Sequence, residues 1–225
     1  MNAENWDELY RKQGEIQKEV INLVKNSLQI LKEMNVKNVL DVGFGTGRHV
    51  VFLAENGFDV HGIDVSERGK EITENKLNNK QLEADLKTAD MHDLPYPDDS
   101  FDAIVAVHTI EHNTMEGLKK TISELKRVLK PNGILVTTLI SRNDPRYGEG
   151  EELEPNTYIK IDDPAESGVE HHFSDKNEID ELFSGFRLIK IEEVEGFSTR
   201  RQIDCVHWEI VAEKNSYFHF ITKNM

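Results

Sequence analysis

Residues 38–57, which read NVLDVGFGTGRHVVFLAENG, decide the fold. The apolar run at 38–42 predicts a short strand, and it stops at a cluster of three glycines. Residues 48–56 predict a helix, with Gly57 at its C-terminal end. A strand, a glycine-rich turn and a helix in this order bring backbone close to a ligand and aim helix N–H groups at it. This stretch therefore predicts one βα unit of an α/β domain.

The same alternation continues on both sides of this unit. An amphipathic helix is predicted over residues 15–34, another helix begins at Ser66, and a third ends at the Pro-Asn-Gly turn 131–133. Further strands are predicted over residues 58–63, 82–88, 101–108 and 134–140. The last of these is almost fully apolar, as in a sheet that is covered on both faces. Strands that alternate with helices indicate parallel βαβ units.

The end of the chain departs from this alternation. Ser174 is predicted to open a helix that Gly185 closes, and two strands follow over residues 186–194 and 203–212 with no helix between them. Strands joined in this way pair antiparallel, at one edge of the sheet. The sequence therefore predicts an α/β fold: a doubly wound, seven-stranded, mostly parallel sheet with helices on both faces and an antiparallel C-terminal edge hairpin.

Composition indicates one folded domain over residues 1–225. Hydrophobic residues make up 37% and charged residues 31% of the 225 residues, and no apolar run approaches the roughly 20 residues that cross a bilayer. The formal charge of −15 repels phosphate backbones and anionic membranes, so we expect no nucleic-acid or membrane partner. Cys205 is the single cysteine, and the start of the chain lacks the pattern of a signal peptide. We expect a cytoplasmic monomer or homodimer.

The glycine turn distinguishes between nucleotide cofactors. The dinucleotide fingerprint G-x-G-x-x-G needs a sixth-position glycine, where this chain has Arg48; Gly43, Gly45 and Gly47 form G-x-G-x-G instead. Asp64 lies 21 positions after Gly43, where an acidic residue accepts both ribose hydroxyls. Three glycines alone also fit a plain tight turn, but together with Asp64 and the strand–helix context they indicate a nucleoside site.

Four segments resemble the class I S-adenosylmethionine-dependent methyltransferases, in the branch called type 11. VLDVGFGTGRH is similar to the family's first motif, and VHGIDVS to the segment that holds the ribose. ADMHDLPYPDDSFDAIVAVHTIEH is similar to the stretch that frames the adenine, and LKRVLKPNGILVTT to the helix, turn and fifth strand after it. The resemblance covers about residues 36–141. It implies a Rossmann-like methyltransferase fold, S-adenosyl-L-methionine as cofactor and S-adenosyl-L-homocysteine as product.

The resemblance also implies roles for individual residues. Contacts with the methionine part and the sulfonium are implied for Asp41, Gly43, Gly45 and Gly47, with Phe44 in the same turn where the family usually has a smaller or acidic residue. For the nucleoside, Asp64 is implied to hold the ribose, Val65 to pack on the adenine, Asp90 to accept from its amino group, and the Met91 backbone to pair with a ring nitrogen. His108 is implied to lie near the methionine part, with Trp6 and Tyr10 folded over the cofactor.

Two segments are interpreted as caps. Residues 1–35 form an N-terminal helical cap. Residues 141–173 form a connection of 33 residues with nine acidic and three basic side chains, where α/β loops typically run about 2–6 residues. This insertion is either a solvated surface loop or a substrate cap that attracts cations or amines.

Three side chains are candidates for a catalytic base or for orienting the acceptor. The sequence HTIEH at 108–112 matches a zinc-protease motif in letters, but His108 ends a strand instead of sharing a helical face with His112, so we expect no metal. His112 follows a strand at the ligand-binding edge of the sheet and is the first candidate. His172 and Glu152 are the others, although the pair His171-His172 also fits a plain helix-entry segment.

Methyl transfer is an in-line displacement that needs alignment, close approach and exclusion of water, and a base only when the acceptor must lose a proton. The leading hypothesis is a methyltransferase with a small-molecule acceptor. A protein or RNA methyltransferase is the second, and a non-catalytic S-adenosylmethionine-binding module the third. A nicotinamide oxidoreductase is disfavoured by Arg48 in the glycine turn.

Overall fold

The computed structural model describes residues 3–16, 18–163, 166–199 and 201–216. Its helices are α1 (Ala3–Gln13), α2 (Asn22–Glu33), α3 (Arg48–Glu55), α4 (Glu67–Lys80), α5 (Met115–Val128) and α6 (Lys176–Leu182). Its strands are β1 (Asn38–Val42), β2 (Asp59–Asp64), β3 (Asp85–Thr88), β4 (Phe101–Ala106), β5 (Leu129–Ser141), β6 (Glu151–Glu154), β7 (Thr157–Ile159), β8 (Glu170–Ser174), β9 (Phe186–Ser198) and β10 (Ile203–Lys214). Among these residues, no helix has the length and apolarity needed to cross a bilayer.

The described strands form one ten-stranded sheet, three strands more than the seven predicted, because β6, β7 and β8 of the insertion join it through β5. The seven strands outside the insertion follow the order β3-β2-β1-β4-β5-β10-β9. The first five are parallel, while β10 pairs antiparallel with both β5 and β9. The predicted α/β fold, a mostly parallel sheet with an antiparallel edge hairpin, is therefore confirmed. The order reverses between β1 and β4, and ligands of open α/β sheets bind at the carboxyl ends of the strands beside such a reversal.

The sheet has an apolar core on each face. Along β1, Leu40 and Val42 join the cluster that contains the apolar side chains of α5 and α6. Val39 points the other way, into the cluster built by α2, α3 and α4. Alternate residues of a strand face opposite sides of a sheet, so a strand covered on both faces must be apolar throughout. This double coverage explains why β1, β4 and β5 were recognisable in the sequence.

The helix predicted over residues 15–34 is wrong in its first third. Gly14 adopts φ +65° and its N–H bonds to the Tyr10 carbonyl, which ends α1, and α2 begins only at Asn22. The apolar spacing that suggested one helix joins residues of two different clusters. Ile16 packs beside Tyr10 near α1, whereas Val20 packs against the core of the sheet.

The insertion 141–173 contains ordered strands. β6, β7 and β8 pair antiparallel in succession, and β8 pairs in parallel with the end of β5 through Ile140–Phe173 and Ser141–Ser174. The structure therefore does not support a plain surface loop. It also corrects the start of the next helix, because Ser174 belongs to β8. The N-cap of α6 is Asp175, whose side chain accepts a hydrogen bond from the Glu178 N–H.

Candidate active site

Close contacts on both sides determine the shape of the glycine turn. Gly43 has φ +70°, and a Cβ at this position would lie 1.9 Å from the Oγ1 of Thr109. Gly47 has φ +80° at the N-cap of α3, and a Cβ there would lie 2.4 Å from a methyl carbon of Thr73. Side chains are excluded by both the backbone conformation and the space. The turn therefore presents bare backbone between the loop after β4 and helix α4.

Asp64, the last residue of β2, holds the turn in place. Its carboxylate accepts hydrogen bonds from the Gly45 N–H at 2.7 Å and the Ser66 N–H at 2.9 Å. Burial raises the pKa of this carboxyl to about 6, against the effect of those two donors. The side chain also lines the pocket above the turn. Asp64 is thus positioned to face a ligand, and its contact with a ribose remains a prediction.

The cofactor pocket lies beneath α1 and over the carboxyl ends of β1, β2 and β4. Its empty volume is about 720 Å³, counting space open to solvent. Its lining includes these residues named from the sequence: Trp6, Tyr10, Gly43, Phe44, Gly45, Asp64, Val65, Met91, His108 and His112. Three others lie outside the lining: Asp41 is buried, Gly47 begins α3, and the exposed Asp90 carboxylate lies 2.7 Å from Nδ1 of His92.

Phe44 fits the turn because of a glycine on the neighbouring strand. The ring of Phe44 is buried against β2, where a Cβ on Gly62 would lie 2.7 Å from its Cδ1 atom. The absence of a side chain at Gly62 provides the space for this ring. The bulky residue that distinguishes this chain from the family's usual pattern therefore packs into the core cluster while also lining the pocket.

A buried carboxylate and a half-buried guanidinium lie next to the turn. Among the described residues, the Oδ2 atom of Asp41 has no hydrogen-bond partner, and burial raises the pKa of this carboxyl to about 7 while Arg48 opposes that rise. Desolvation also lowers the pKa of Arg48 to about 10, and this side chain donates a 3.4 Å hydrogen bond to the Glu19 carbonyl. Arg48 lines the pocket, a role that the sequence reading missed.

Helix α1 covers the pocket. Trp6 and Tyr10 are both buried and both line it, and Trp6 stacks on His112. The helix is anchored on the other side by Asp7, which accepts a hydrogen bond from the Oγ of Ser66 next to α4. Because Ser66 also donates its N–H to the pocket carboxylate of β2, the covering helix and the glycine turn share one anchor point.

A second cavity adjoins the cofactor pocket and is called the adjacent cavity here. Its empty volume is about 1050 Å³, again counting space open to solvent. Both cavities are lined by Ile16, Arg48, His108, His112 and Glu166. The adjacent cavity extends from these shared residues towards β5 and the C-terminal hairpin, where its lining includes Arg146, Arg201, Cys205 and His207. Two ligands, one in each cavity, would therefore meet at the shared wall.

Glu166 of the insertion is the centre of a buried ion-pair network. Its carboxylate lies 2.7 Å from the Arg201 guanidinium, 2.8 Å from Nε2 of His171 and 3.7 Å from Nε2 of His112. Burial opposes ionisation of Glu166, but these neighbours hold its pKa well below its usual range. Burial lowers the pKa of His112 to about 4, against the attraction of Glu166. The network joins the insertion, the hairpin and the loop after β4.

Of the three catalytic candidates, His112 lines the cofactor pocket and the adjacent cavity, and the other two line neither. His172 is buried between the Oγ1 of Thr157 at 2.7 Å and the carboxylate of Glu178 at 3.1 Å. Glu152 is exposed on β6 and accepts a 3.3 Å hydrogen bond from the hydroxyl of Tyr158. The structure therefore does not bring His172 and Glu152 to the site. Both side chains lie in the strands of the insertion and make their hydrogen bonds away from the two cavities.

A second histidine pair, missed in the sequence, lies at the shared wall. His108 follows β4 with φ +53°, and its N–H donates to the Oγ1 of Thr138 at 2.8 Å. The ring of His207 from β10 lies 4.7 Å away, centroid to centroid. Burial lowers the pKa of both imidazoles to about 3, so both are neutral at pH 7. Local sequence carries no signal for this pair, since only the pairing of β10 with β5 creates it.

Comparison with known proteins points to one family. Residues 40–137 match the family described as a methyltransferase domain. The tRNA N(3)-cytidine methyltransferase METTL2 of Mus musculus is 29% identical over 168 residues, which cover 68% of this chain and 41% of the relative. Demethylmenaquinone methyltransferase of Tropheryma whipplei is 38% identical over 100 residues, which cover 44% of this chain and 40% of the relative. The chain thus spans about two fifths of the length of these curated relatives.

Comparison of the fold with solved structures gives the same result. A solved SAM-dependent methyltransferase from Methanosarcina mazei superimposes with a TM-score of 0.74 at 23% identity, over 88% of this chain and 99% of that one. The matched domain at residues 40–137 contains the glycine turn, Asp64 and β4, which build most of the cofactor pocket. Residues 40–137 of this chain therefore belong to the methyltransferase-domain family, and the chain has the fold of a solved SAM-dependent methyltransferase.

Proposed function

We propose that this protein binds S-adenosyl-L-methionine in the cofactor pocket and transfers its methyl group to a small molecule in the adjacent cavity. The observation that supports this most directly is the shared wall: five side chains line both cavities. A donor in one and an acceptor in the other would lie in contact without any domain movement. Such proximity supplies much of the rate of a displacement reaction.

The cofactor placement follows from the polar groups around the turn. Asp64 accepts from the ribose, Val65 and Met91 flank the adenine, and the glycine turn faces the methionine part. Arg48 lines the pocket and provides a guanidinium for the carboxylate of an amino acid, whereas the buried Asp41 lies outside the lining. A guanidinium without an ion-pair partner would gain a counterion from such a ligand.

When bound, S-adenosylmethionine supplies an electrophilic methyl group. The protein's contribution is to align the two ligands and to exclude water. Trp6 and Tyr10 cover the pocket, which removes solvent from the donor side. His112 is neutral at pH 7 and borders both cavities, so its ring can accept a hydrogen bond from an acceptor hydroxyl, thiol or amine and orient the lone pair.

The chain acts as one domain with two caps, residues 1–35 over the donor and residues 141–173 beside the acceptor. The acidic side chains of the second cap are largely paired within the protein, as in the ion pairs Asp144–Arg146 and Lys160–Glu149. We therefore do not retain a preference for cationic acceptors. A cytoplasmic monomer or homodimer remains part of the proposal.

An RNA acceptor is the second candidate, because the mouse relative, which is named as a tRNA methyltransferase, matches 68% of this chain. The formal charge of −15 opposes it, since phosphate contacts supply most of the affinity of nucleic-acid binding. A partly enclosed acceptor cavity also favours a small molecule. A module that binds the cofactor without turnover is the third possibility.

Methyl-labelled donor tests the three possibilities together. The protein is incubated with labelled S-adenosylmethionine and, separately, with a metabolite extract, bulk tRNA and a protein extract. We expect label in the metabolite fraction, a decrease of about 100-fold in the His112→Gln variant, and no change in Glu152→Gln, which lies outside both cavities. Label in tRNA or protein would contradict the proposed acceptor class. Cofactor binding without any labelled product would indicate a non-catalytic module.

A further inference from the structure

We propose that His108, Glu111 and His207 bind a divalent transition-metal ion such as Zn²⁺. The site lies at the wall between the cofactor pocket and the adjacent cavity. The three side chains come from the end of β4, the loop after it and strand β10. Their potential ligand atoms all lie within 4.8 Å of one another. All three line the adjacent cavity.

The distances suit an ion after a small contraction. Imidazole and carboxylate atoms lie about 2.0–2.2 Å from zinc, which puts ligands of a tetrahedral ion roughly 3.3–3.6 Å apart. The carboxylate of Glu111 is already 3.5 Å from Nδ1 of His108. Two imidazoles and one carboxylate that face a cavity leave further positions open to a ligand, which is typical of a catalytic and not of a structural site.

Within the described part of the chain, no Lys or Arg side chain lies within 4.0 Å of the Glu111 carboxylate, although Arg48 is near enough to interact with it electrostatically. Glu111 is 1% exposed and accepts a 3.0 Å hydrogen bond from the Thr109 N–H. Among the residues that the structure describes, its one ion-pair contact within 4.0 Å is the imidazole of His108. A buried carboxylate without a Lys or Arg within ion-pair distance is costly to fold. A divalent cation would neutralise it and use the lone pairs of both rings.

The neighbouring positive charges are compatible with this ion. Arg146 lies near His108 and His207, but its guanidinium makes hydrogen bonds of 2.7 and 2.9 Å to the Asp144 carboxylate. Arg201 also lies near His108, but its guanidinium pairs with Asp163 and Glu166. Arg48 is the third neighbouring cation, and the proposed function gives it the carboxylate of the cofactor as counterion. None of the three charges therefore opposes the metal in the complex with cofactor.

The second His–Glu–His group, which is fully buried, does not carry the same inference. His112, Glu166 and His171 also have ligand atoms within 4.8 Å of one another. However, the Arg201 guanidinium lies 2.7 Å from the carboxylate of Glu166 and occupies the position of a cation. This group is a completed ion-pair network, and it serves as an internal comparison.

The role of the ion rests on the proposed function. A hydroxyl, thiol or N–H of the acceptor that coordinates the ion loses its proton to water more easily, because the positive charge stabilises the anion. The acceptor atom then donates a lone pair to the methyl carbon, and the C–S bond breaks with its electron pair left on sulfur. The acceptor class is a small molecule whose O–H, S–H or N–H group binds the ion, loses its proton and is itself methylated.

Metal binding to the whole chain, freed of metal by chelator and dialysis, tests the proposal without any turnover, and it is measured both without ligand and with saturating S-adenosylhomocysteine. We expect one equivalent of Zn²⁺ to bind, and Co²⁺ in its place to show the visible absorption of a low-coordinate site that Zn²⁺ abolishes. This measurement needs no variant. Absence of stoichiometric binding to the native protein in both conditions would overturn the proposal.

Variants identify the ligands. We expect His207→Gln and Glu111→Gln each to weaken Zn²⁺ binding by more than about 100-fold, since even an outer-sphere partner is worth 10- to 100-fold. His171→Gln, from the comparison group, should leave it within a few-fold. Loss of binding in His171→Gln but not in His207→Gln would overturn the assignment.

S-adenosylhomocysteine is titrated into the same samples by calorimetry. Binding in the native protein tests the proposed function independently, so its failure is separate from a failure of the metal site. The same titration shows that each variant is folded. Where a variant does not bind this ligand, the Co²⁺ spectrum of the native protein decides the metal proposal.

Discussion

The ring of Trp6 lies parallel to the ring of His112, with centroids 5.2 Å apart and an interplanar angle of 15°. Trp6 belongs to the first helix and His112 to the loop after β4, so this stack joins the start of the chain to the edge of the parallel sheet. Both rings are less than 10% exposed and both line the cofactor pocket. The N-terminal helix is therefore a wall of the site.

The first prediction concerns this wall. Trp6→Ala removes the stack and opens the pocket to solvent, so we expect S-adenosylhomocysteine to bind at least about tenfold more weakly, which corresponds to roughly 1.4 kcal/mol. Calorimetry measures the affinity. Glu8→Ala on the same helix is the control, because Glu8 only pairs with Lys12 on the surface and should change affinity less than twofold. Equal affinity in Trp6→Ala and the native protein would show that the helix is not part of the site.

The second prediction separates backbone strain from steric conflict in the glycine turn. Gly57 has φ +84° with no atom within 4 Å of a built Cβ, so Gly57→Ala should lower the free energy of unfolding by about 1–2 kcal/mol. Gly43→Ala adds a conflict with Thr109 to the same strain, so we expect a larger loss and no detectable cofactor binding. Urea unfolding of both variants measures the difference. Equal losses would mean that the space around Gly43 is not restrictive.

The third prediction tests the role of Arg48 in binding the amino-acid end of the cofactor. Arg48→Met should weaken S-adenosylhomocysteine by about 10- to 150-fold, the value of a hydrogen bond to a charged group, about 1.5–3 kcal/mol. Binding of 5′-methylthioadenosine, which has no carboxylate, should be unchanged. Arg68→Met is the control, because Arg68 pairs with Glu71 on the surface of α4. An equal loss for both ligands would assign Arg48 a structural role instead.

The fourth prediction concerns pH. Because burial raises the pKa of Asp41 from 3.8 to about 7, the folded protein binds a proton here that the unfolded chain releases at lower pH. The resulting stabilisation is complete below pH 3.8 and is lost as the pH rises through about 7. The free energy of unfolding, native minus Asp41→Asn, should therefore fall by roughly 2–3 kcal/mol between pH 5 and pH 8 without ligand. A difference that is constant over this range would contradict the assignment.

The sequence was most informative for elements that are buried to the same degree along their whole length. β1 is covered on both faces and is followed by glycines that tolerate no side chain, so its strand, turn and helix could all be read directly. It was misleading at residues 15–34, because a helical spacing arose from Ile16 and Val20 in two separate clusters. Propensity also could not show that Ser174 pairs with Ser141 in β8 instead of capping a helix.

The polar residues of the site were likewise predictable only in part from the sequence. The glycine turn and Asp64 follow the two neighbouring parallel strands of one βαβ unit, so their proximity was predictable. His207 and Arg201 reach the adjacent cavity from the C-terminal hairpin, about 100 residues after β4. Only the antiparallel pairing of β10 with β5 brings them there. Local sequence patterns do not encode long-range strand pairing. The site residues that depend on this pairing were therefore missed in the sequence.

Calorimetric titration of the native protein with S-adenosylmethionine, S-adenosylhomocysteine and NAD tests the central claim most directly. We expect the first two to bind with one equivalent each, NAD to give no binding heat, and Asp64→Ala to abolish both interactions. Binding of NAD, or no binding of either sulfur nucleoside, would contradict the account of this pocket.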